Sequence, residues 1–421
     1  MVRRLVLSIV FVAGSRLAWG QPIPPQGPAE PPAAEPPAAE PAAGTPAEVT
    51  PASSRAAALE VGRAPPRRVL PALPAPQADA PSAAPTWQPF GYLRLQAALV
   101  QNDANVAFIG RSDGFDLQNA RLGARGRLGQ RAAFEVSIDG AVDERDQVNL
   151  PNGRLRVGLR DAHVDLPIAA ELAVRAGRFE PWFDPEARDG DTERPFVDRA
   201  LDSRGVLATE GWQAAGLTPG RSLGVAARWQ RGKPWQGSGV AAEVSAQNGA
   251  DEFASGNDND ALALSLAVRA WSAGLGWVQV AGRYNPRTEG DQPFRQDETD
   301  LAGALGMGAS LGPVRLGAGA VLMRTTFATT GGGAQRAWGA HGQALVRVPA
   351  AGLLVEVGYR FAILDPSSLV LTDRVMEHTA GAVLSLPRLR ARILAGAVHV
   401  AEQAARTLRN DRLEAVLEVS L

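Results

Sequence analysis

The strongest constraint on this chain is an alternation of apolar and polar residues that repeats from about residue 87 to residue 421. Stretches of roughly 10–13 alternating residues follow one another, and the breaks between them are by turns short and long. A strand that crosses a bilayer needs about 9–11 tilted residues, and its side chains point alternately to lipid and to lumen. Short turns on one side and long loops on the other are typical of such barrels. The pattern therefore predicts an all-β fold, a transmembrane antiparallel β-barrel.

The alternation predicts 16 strands. They lie near residues 89–101, 115–128, 132–143, 155–167, 171–180, 221–231, 239–248, 260–271, 275–284, 299–311, 314–326, 336–348, 353–364, 375–386, 391–402 and 409–421. In the fourth strand the parity changes between Leu159 and Asp161, which indicates a bulge or a later strand start. Trp229, Trp271 and Trp277 flank the predicted tight turns, as interfacial aromatic residues of membrane proteins do.

Two other segments precede the barrel. Residues 1–20 have a charged start, a short apolar core and small residues before position 21, which predicts a cleaved signal peptide and export to the outer membrane of a Gram-negative bacterium. Residues 21–86 hold 18 of the 32 prolines. Proline removes backbone donors and favours extended geometry, so this segment is predicted to be a disordered periplasmic spacer. A tether to the cell wall or to a periplasmic partner is the alternative. The barrel domain is predicted over residues 87–421.

The side of each strand that faces the lumen is predicted to be polar and rich in arginine. Sixteen strands leave an open aqueous lumen, whereas eight strands would be filled by side chains. A polar lining around such a lumen indicates a channel. The predicted lining arginines are Arg94, Arg121, Arg125, Arg127, Arg175 and Arg360.

One connection, residues 180–220, is much longer than the others. Its first part, residues 180–204, contains eight acidic residues and four arginines. A charged loop of this length either folds into the pore and narrows it, or remains a solvated external loop; periodicity alone does not choose between them. The candidate constriction residues are Asp184, Glu186, Arg188, Asp189, Asp191, Glu193, Arg194, Asp198 and Arg199.

Four segments, which follow one another along the chain, resemble segments of the phosphate-selective porin O/P family. Residues 115–123 (FDLQNARLG) are similar to its arginine-rich second strand, and residues 159–166 (LRDAHVDL) to its Asp-Ala-aromatic motif. Residues 177–183 (GRFEPWF) resemble its Gly-Gln-Phe-Lys-Pro-Pro-Phe run. Residues 194–201 (RPFVDRAL), followed by residues 220–224 (GRSLG), resemble its acidic-Arg-Ser-Leu and Gly-Arg-Asp-Ile-Gly pair.

The resemblance implies a homotrimeric porin of 16 strands with the long third loop folded into the lumen. It also implies outer-membrane lipids and the barrel-assembly machinery as partners, and small hydrophilic solutes or inorganic anions as cargo. Arg121 occupies a position of the family's inward arginines, with Arg94 and Arg125 as further candidates. Glu180 replaces the lysine of the Phe-Lys-Pro run, and Lys233 is the only lysine of the chain. Because dense negative charge repels phosphate, weak ion preference without tight phosphate binding is expected.

Composition narrows the remaining functions. The chain has no cysteine, and its formal charge of −1 gives no support to nucleic-acid binding. His163, His341, His378 and His399 lie on different predicted strands in no metal-binding spacing, so neither a metal, nor a cofactor, nor an enzymatic site is predicted. Two classes remain, a diffusion porin and a structural or adhesive barrel joined to the cell wall by the spacer. Conductance would separate them.

Overall fold

The computed structural model describes residues 85–421, apart from 107–108, 110–112, 130, 142–156, 189, 208–209, 212, 234–235, 250–255, 258, 290–294, 329–331, 351–352 and 404–406. The predicted signal peptide and nearly all of the predicted spacer lie outside the described residues. In the part of the chain that is described, no helix is long and apolar enough to cross a membrane.

Sixteen antiparallel strands close into one barrel, which confirms the predicted strand number. Each barrel strand pairs with the barrel strand that follows it in the sequence, and the first strand closes the barrel against the last. The barrel strands are β1 (Thr86–Val100), β2 (Gly114–Leu128), β3 (Ala132–Asp139), β4 (Gly158–Ala169), β5 (Leu172–Phe179), β8 (Ser222–Lys233), β9 (Gln236–Asn248), β10 (Leu262–Ser272), β11 (Gly276–Glu289), β12 (Gln296–Leu311), β13 (Val314–Phe327), β14 (Ala334–Ala350), β15 (Leu353–Asp365), β16 (Arg374–Leu386), β17 (Ala391–Gln403) and β18 (Arg412–Ser420).

The alternation in the sequence becomes two chemically different faces of the wall. On β10 the leucines point outward, and Leu264 is 50% exposed. Its neighbour Ser265 points inward and is 6% exposed. A closed wall leaves no unpaired strand edge, and its apolar outer face suits a hydrocarbon surrounding.

Two bulges change which side chains enter the lumen. On β4 the pairing with β3 shifts so that Arg160 is the extra residue between Leu159 and Asp161, which confirms the parity change read from the sequence. On β2 the pairing with β1 shifts at Gln118. The first bulge lets Arg160 and Asp161 both contribute to the inner face, and the second does the same for Gln118 and Asn119.

The connections differ in length as the sequence predicts. Tight turns join β10 to β11 and β12 to β13, and a short 3-10 turn (Pro387–Leu389) joins β16 to β17. The connection between β5 and β8 contains the helices α1 (Pro185–Arg188) and α2 (Leu201–Arg204), a 3-10 turn (Asp191–Glu193) and a small sheet of β6 (Gly205–Val206) with β7 (Ala214–Ala215). The interfacial role predicted for Trp271 and Trp277 is wrong, because both have the inward parity of their strands and line a cavity.

Candidate functional site: the long loop and the inner wall

The connection between β5 and β8, residues 180–221, is called the long loop from here on. Its side chains, main-chain carbonyl groups and the Trp182 amide contact inward-facing residues of β1, β2, β4, β9, β11 and β14–β18. These strands are distributed around the barrel. The loop therefore has partners on opposite sides of the wall.

Many of the wall side chains donate hydrogen bonds to main-chain carbonyl oxygens of the long loop. Gln247 Nε2 donates to Phe179 O, the last residue of β5, at 2.8 Å, and Gln279 Nε2 donates to Phe183 O at 2.9 Å. Arg94 donates to the carbonyl oxygens of Asp191 and Val197 at 3.2 and 3.0 Å. Arg360 does the same to Asp198 and Arg199 at 2.9 and 3.1 Å, and Arg392 to Thr192 and Arg194. The wall thus fixes the path of the loop backbone.

Asp191 is the electrostatic centre of the loop's contact with the early strands. The side chain is 2% exposed and pairs with Arg194 of the loop and with Arg160 of β4 at 3.0 Å. Arg199 lies 3.8 Å away, and the Tyr92 hydroxyl donates to the same carboxylate. Burial alone would raise the pKa of Asp191, but the surrounding arginines, Arg160 first, hold it well below its usual range. A carboxylate in this setting stays ionised.

The other side of the loop is apolar and packs on small wall residues. Trp182, Phe183, Leu201, Val206 and Leu217 form one buried cluster with the wall. The wall members on β9–β15 are mostly alanines, namely Ala241, Ala267, Ala281, Ala302, Ala304, Ala337 and Ala362. Small side chains at these positions allow the loop to approach the wall closely.

Glycines of the wall receive individual loop side chains. A Cβ atom at Gly306 of β12 would stand 2.5 Å from Cγ of Pro185. A Cβ atom at Gly339 of β14 would stand 2.5 Å from Cβ of Asp202. These two close approaches require glycine, because a Cβ atom at either position would overlap the loop.

A compact group of acidic and basic side chains surrounds α1 and α2. His341 Nδ1 of β14 lies 3.0 Å from both carboxylate oxygens of Asp202. Glu186 accepts from the Ala200 amide at 2.9 Å and pairs with Arg360 at 3.3 Å. Burial, with Glu186 and Asp202 nearby, raises the pKa of Asp184 to about 7. The loop helices therefore place three carboxyl groups beside one imidazole of the wall.

A second ion-pair network holds the far end of the loop to the last strands. Arg204 pairs with Glu210 at 2.9 Å and with Glu377 of β16 at 2.6 Å. Arg412 of β18 lies 2.9 Å from Glu210 and 3.0 Å from Glu377. Burial alone would lower the pKa of Arg204, but Glu210 and Glu377 raise it well above its usual range. Glu414 and Asp198 lie 3.3 and 3.9 Å from Arg412, so the two arginines are shared among four carboxylates.

A cavity of about 1160 Å³ lies between the long loop and the end of the barrel that bears the tight turns. Among the described residues, eight arginines and four acidic residues line it. The arginines are Arg125, Arg127, Arg175, Arg188, Arg269, Arg315, Arg347 and Arg392, and the acids are Glu135, Asp165, Glu193 and Glu356. The lining is therefore basic by four formal charges (eight minus four).

The structure gives the predicted lining arginines different surroundings. Arg125, Arg127 and Arg175 line the cavity, and Arg175 pairs with Asp165 at 2.6 Å. Arg121 pairs with Asp161 at 2.5 Å and with Glu135 at 3.0 Å. Arg94 and Arg360 are 0% and 2% exposed and contact the loop.

Most of the predicted constriction residues also contact other residues of the protein. Of these, Arg188 and Glu193 line the cavity, and the Arg188 guanidinium lies 4.3 Å above the ring centre of Trp182. Asp198 accepts from Gln118 at 2.9 Å. Asp189 lies outside the described residues. Thus Asp184, Glu186, Asp191 and Asp198 are engaged within the protein.

Several wall residues in these contacts are not among the predicted lining arginines or constriction residues: Arg160, Gln247, Glu377, Arg392 and Arg412. The alternation of the sequence identifies four of them as inward-facing, namely Gln247, Glu377, Arg392 and Arg412. Arg160 enters only because of the bulge. The partner on the loop is not encoded in any local pattern.

Comparison with known proteins places this geometry among porins. The family described as phosphate-selective porin O and P matches residues 91–346, more than half of the chain. An anion-selective porin from Comamonas acidovorans is similar in structure, with a TM-score of 0.54 and 15% identity, covering 80% of this chain and 100% of the porin. No curated protein matches the chain.

Two further solved structures share the fold. The outer membrane channel DcaP of Acinetobacter baumannii has a TM-score of 0.53 and 13% identity, covering 83% of this chain and 100% of DcaP. The trimer form of OmpT from Vibrio cholerae has a TM-score of 0.52 and 11% identity, covering 80% and 100%. At these identities the likeness shows the fold alone.

Proposed function

The chain belongs to the phosphate-selective porin O and P family, and on that premise we propose that it is a channel with a weak preference for small inorganic anions. Membership supports an outer-membrane channel for small solutes. The proposal adds that the long loop lies within the lumen, forms its narrow part and sets its selectivity. Contacts of the loop with strands on opposite sides of the closed barrel support this placement.

The charge of the cavity is the observation that carries the anion preference. Its eight arginines outnumber its four acids. Opposite charges interact more strongly in a narrow passage with little water than on an open surface. Fixed charge along a pore therefore favours the counter-ion.

The acidic residues of the loop oppose anions less than their number suggests. Asp191 is surrounded by arginines, and Asp198 and Asp202 accept from wall side chains. Among the described residues of the loop, Glu193 is the acid that lines the cavity. The passing ion therefore meets fewer negative charges than the eight in residues 180–204.

Tight phosphate binding is not part of the proposal. Strong phosphate sites combine several cationic donors that have no competing carboxylate. Here Arg175 pairs with Asp165, and Arg315 and Arg347 both pair with Glu356 at 2.9 and 3.0 Å. These carboxylates already occupy donors that a phosphate would need.

We also propose a homotrimer. The support is the fold shared with OmpT, which has been solved in a trimer form. Chemical cross-linking of the protein in detergent, followed by mass measurement, is the test, and an exclusively monomeric species contradicts the proposal.

Reversal potential across a salt gradient tests the selectivity. Purified protein in planar bilayers, with KCl at different concentrations on the two sides, is expected to give a modest potential of the sign set by chloride. A cation-selective potential would overturn the charge argument. Absence of conductance from correctly folded barrels would favour the structural or adhesive alternative. Block of chloride current by submillimolar phosphate would overturn the proposal of weak selectivity.

A further inference from the structure

We propose that Glu186, Asp202 and His341 form a binding site for a divalent transition-metal cation that fastens the long loop to β14. Glu186 belongs to α1, Asp202 to α2 and His341 to the wall. The site therefore joins both loop helices to one barrel strand. This site is independent of the proposed channel function, because cation binding can be measured on protein that conducts no current.

The distances between the three side chains are close to those between the ligands of one metal ion. One ligand atom from each of the three residues lies within 4.8 Å of the others. Zinc forms bonds of about 2.0–2.2 Å to nitrogen and carboxylate oxygen, so two ligands of one ion stand roughly 3–4 Å apart. The 3.0 Å separation of His341 Nδ1 from the Asp202 oxygens approaches this value.

Ligand chemistry selects the class of ion. Imidazole nitrogen favours zinc and its transition-metal neighbours, whereas calcium and magnesium sites are built from oxygen. Glu186 oxygens accept from the Ala200 amide and from Arg360, yet each carboxylate oxygen has more than one lone pair to offer. One imidazole with two carboxylates fits a zinc ion that keeps a further position.

A buried acid without a complete set of partners points to the same place. Asp184 is 4% exposed, its Oδ1 accepts from the Glu186 amide, and its Oδ2 has no hydrogen-bond partner. Its electrostatic neighbours are Glu186, Asp202 and His341. A cation held by the three proposed ligands would give this buried carboxyl group an electrostatic partner.

The experiment measures zinc bound to the intact protein in detergent. Two histidines on the outer face, His378 and His399, have ring centres 6.0 Å apart and are a separate source of zinc binding. All measurements therefore use the His378→Ala/His399→Ala background. After chelation and dialysis against zinc, the background protein is expected to bind about one zinc per chain.

Three variants locate the ion. Asp202→Asn, which keeps the shape of the side chain, and His341→Ala are each expected to weaken zinc binding by about tenfold or more. His163→Ala is the matched control, because His163 is an equally buried, inward-facing histidine on β4. It is expected to bind zinc as the background does.

Two results would overturn the proposal. One is the absence of zinc from a background protein whose barrel is folded, as judged by circular dichroism. The other is unchanged binding in both Asp202→Asn and His341→Ala. The fastening role has its own readout, since chelation of the background protein is expected to raise single-channel current noise and zinc to lower it again. Zinc binding with identical noise before and after chelation would overturn that role and leave the conduction proposal untouched.

Discussion

The inner wall of the barrel holds the long loop with two different chemistries on its two sides. On β1–β5 and on β15–β18, which adjoin β1 in the closed barrel, arginines such as Arg94, Arg160 and Arg360 form hydrogen bonds and ion pairs with the loop. On β9–β14 the wall positions that pack against Trp182 and Phe183 are mostly alanine. We call these the charged half and the small-residue half.

The difference separates two tasks. Burial of apolar side chains stabilises by about 25 cal/mol per Å² and has no preferred direction, so the small-residue half supplies attraction. Hydrogen bonds and ion pairs have a preferred geometry, and a buried pair returns little net stability after desolvation. The charged half therefore decides where the loop runs, and the small-residue half keeps it there.

Asp191→Ala is expected to have the largest effect on the loop, and it breaks the charged half. Removing the carboxylate leaves Arg160, Arg194 and Arg199 without their shared partner, and loss of one member of a buried pair costs about 3–5 kcal/mol. The barrel is expected to stay closed while the loop leaves its position. Limited proteolysis of residues 180–221 and single-channel current noise should both increase.

The matched control is Asp116→Ala, an exposed acid on β2. It is expected to behave as the wild type in both measurements. An Asp191→Ala protein with wild-type proteolysis and noise would show that the small-residue half alone holds the loop.

Leu264→Arg and Val136→Arg sharpen the comparison by testing the outer face. Both side chains point outward, Leu264 on the small-residue half and Val136 on the charged half. An arginine on the lipid side of a barrel costs about 2–4 kcal/mol near the midplane, whichever half bears it. Similar losses of stability are expected in urea unfolding, with Leu371→Arg in an exposed external connection as the control.

A large difference between Leu264→Arg and Val136→Arg would mean that the two halves also differ on the outside. One of the two surfaces would then be covered by something other than lipid.

Gly306→Ala breaks the small-residue half by a single methyl group. The new Cβ atom would meet Cγ of Pro185 at 2.5 Å, and overpacking of this kind costs about 1–3 kcal/mol. Loop release is expected to be partial and to appear as a moderate rise in proteolysis. Gly303→Ala is the control on the same strand, because its Cβ atom would have no neighbour closer than 3.8 Å. Equal behaviour of the two variants would contradict the close packing of α1 on β12.

Arg127→Gln should leave the fold unchanged and alter only the current. Arg127 lines the cavity, so its removal is expected to move the reversal potential toward cations. Glu193→Gln should move it toward anions, since that acid lines the same cavity. Arg131→Gln, in the exposed turn after β2, serves as the control. Shifts of equal size for Arg127→Gln and Arg131→Gln would show that the cavity lining does not set the preference.

The wall was predictable from the sequence because its rule is local. Alternation of two chemistries assigns a face to each residue, so the 16 strands, the inward side of Arg94 and Arg121, and the bulge near Arg160 all followed from it. For the long connection, periodicity leaves two interpretations open, and the resemblance to the porin family favours the one in which it narrows the pore.

The contacts inside the barrel could not be read in the same way. Asp202 lies 139 positions from His341 in the chain, and no periodic pattern relates an irregular loop to a distant strand. For the same reason the sequence predicts that the acids of residues 180–204 face the passing ion. In the structure, most of the described acids of this segment bind arginine, histidine or backbone amides instead. Trp271 was misplaced because an aromatic residue beside a turn suits both faces of the wall.

The hydrogen bonds from the wall to the loop backbone bear on which substitutions the loop can accept. Gln279 and Arg360 donate to carbonyl oxygens, which every amino acid possesses. A substitution in the loop removes none of these acceptors, so replacing a loop side chain that has no partner in the wall leaves the backbone contacts in place. The inner wall can therefore hold different loop sequences along one backbone path, provided that the charged loop side chains bound by the wall, such as Asp191, are kept.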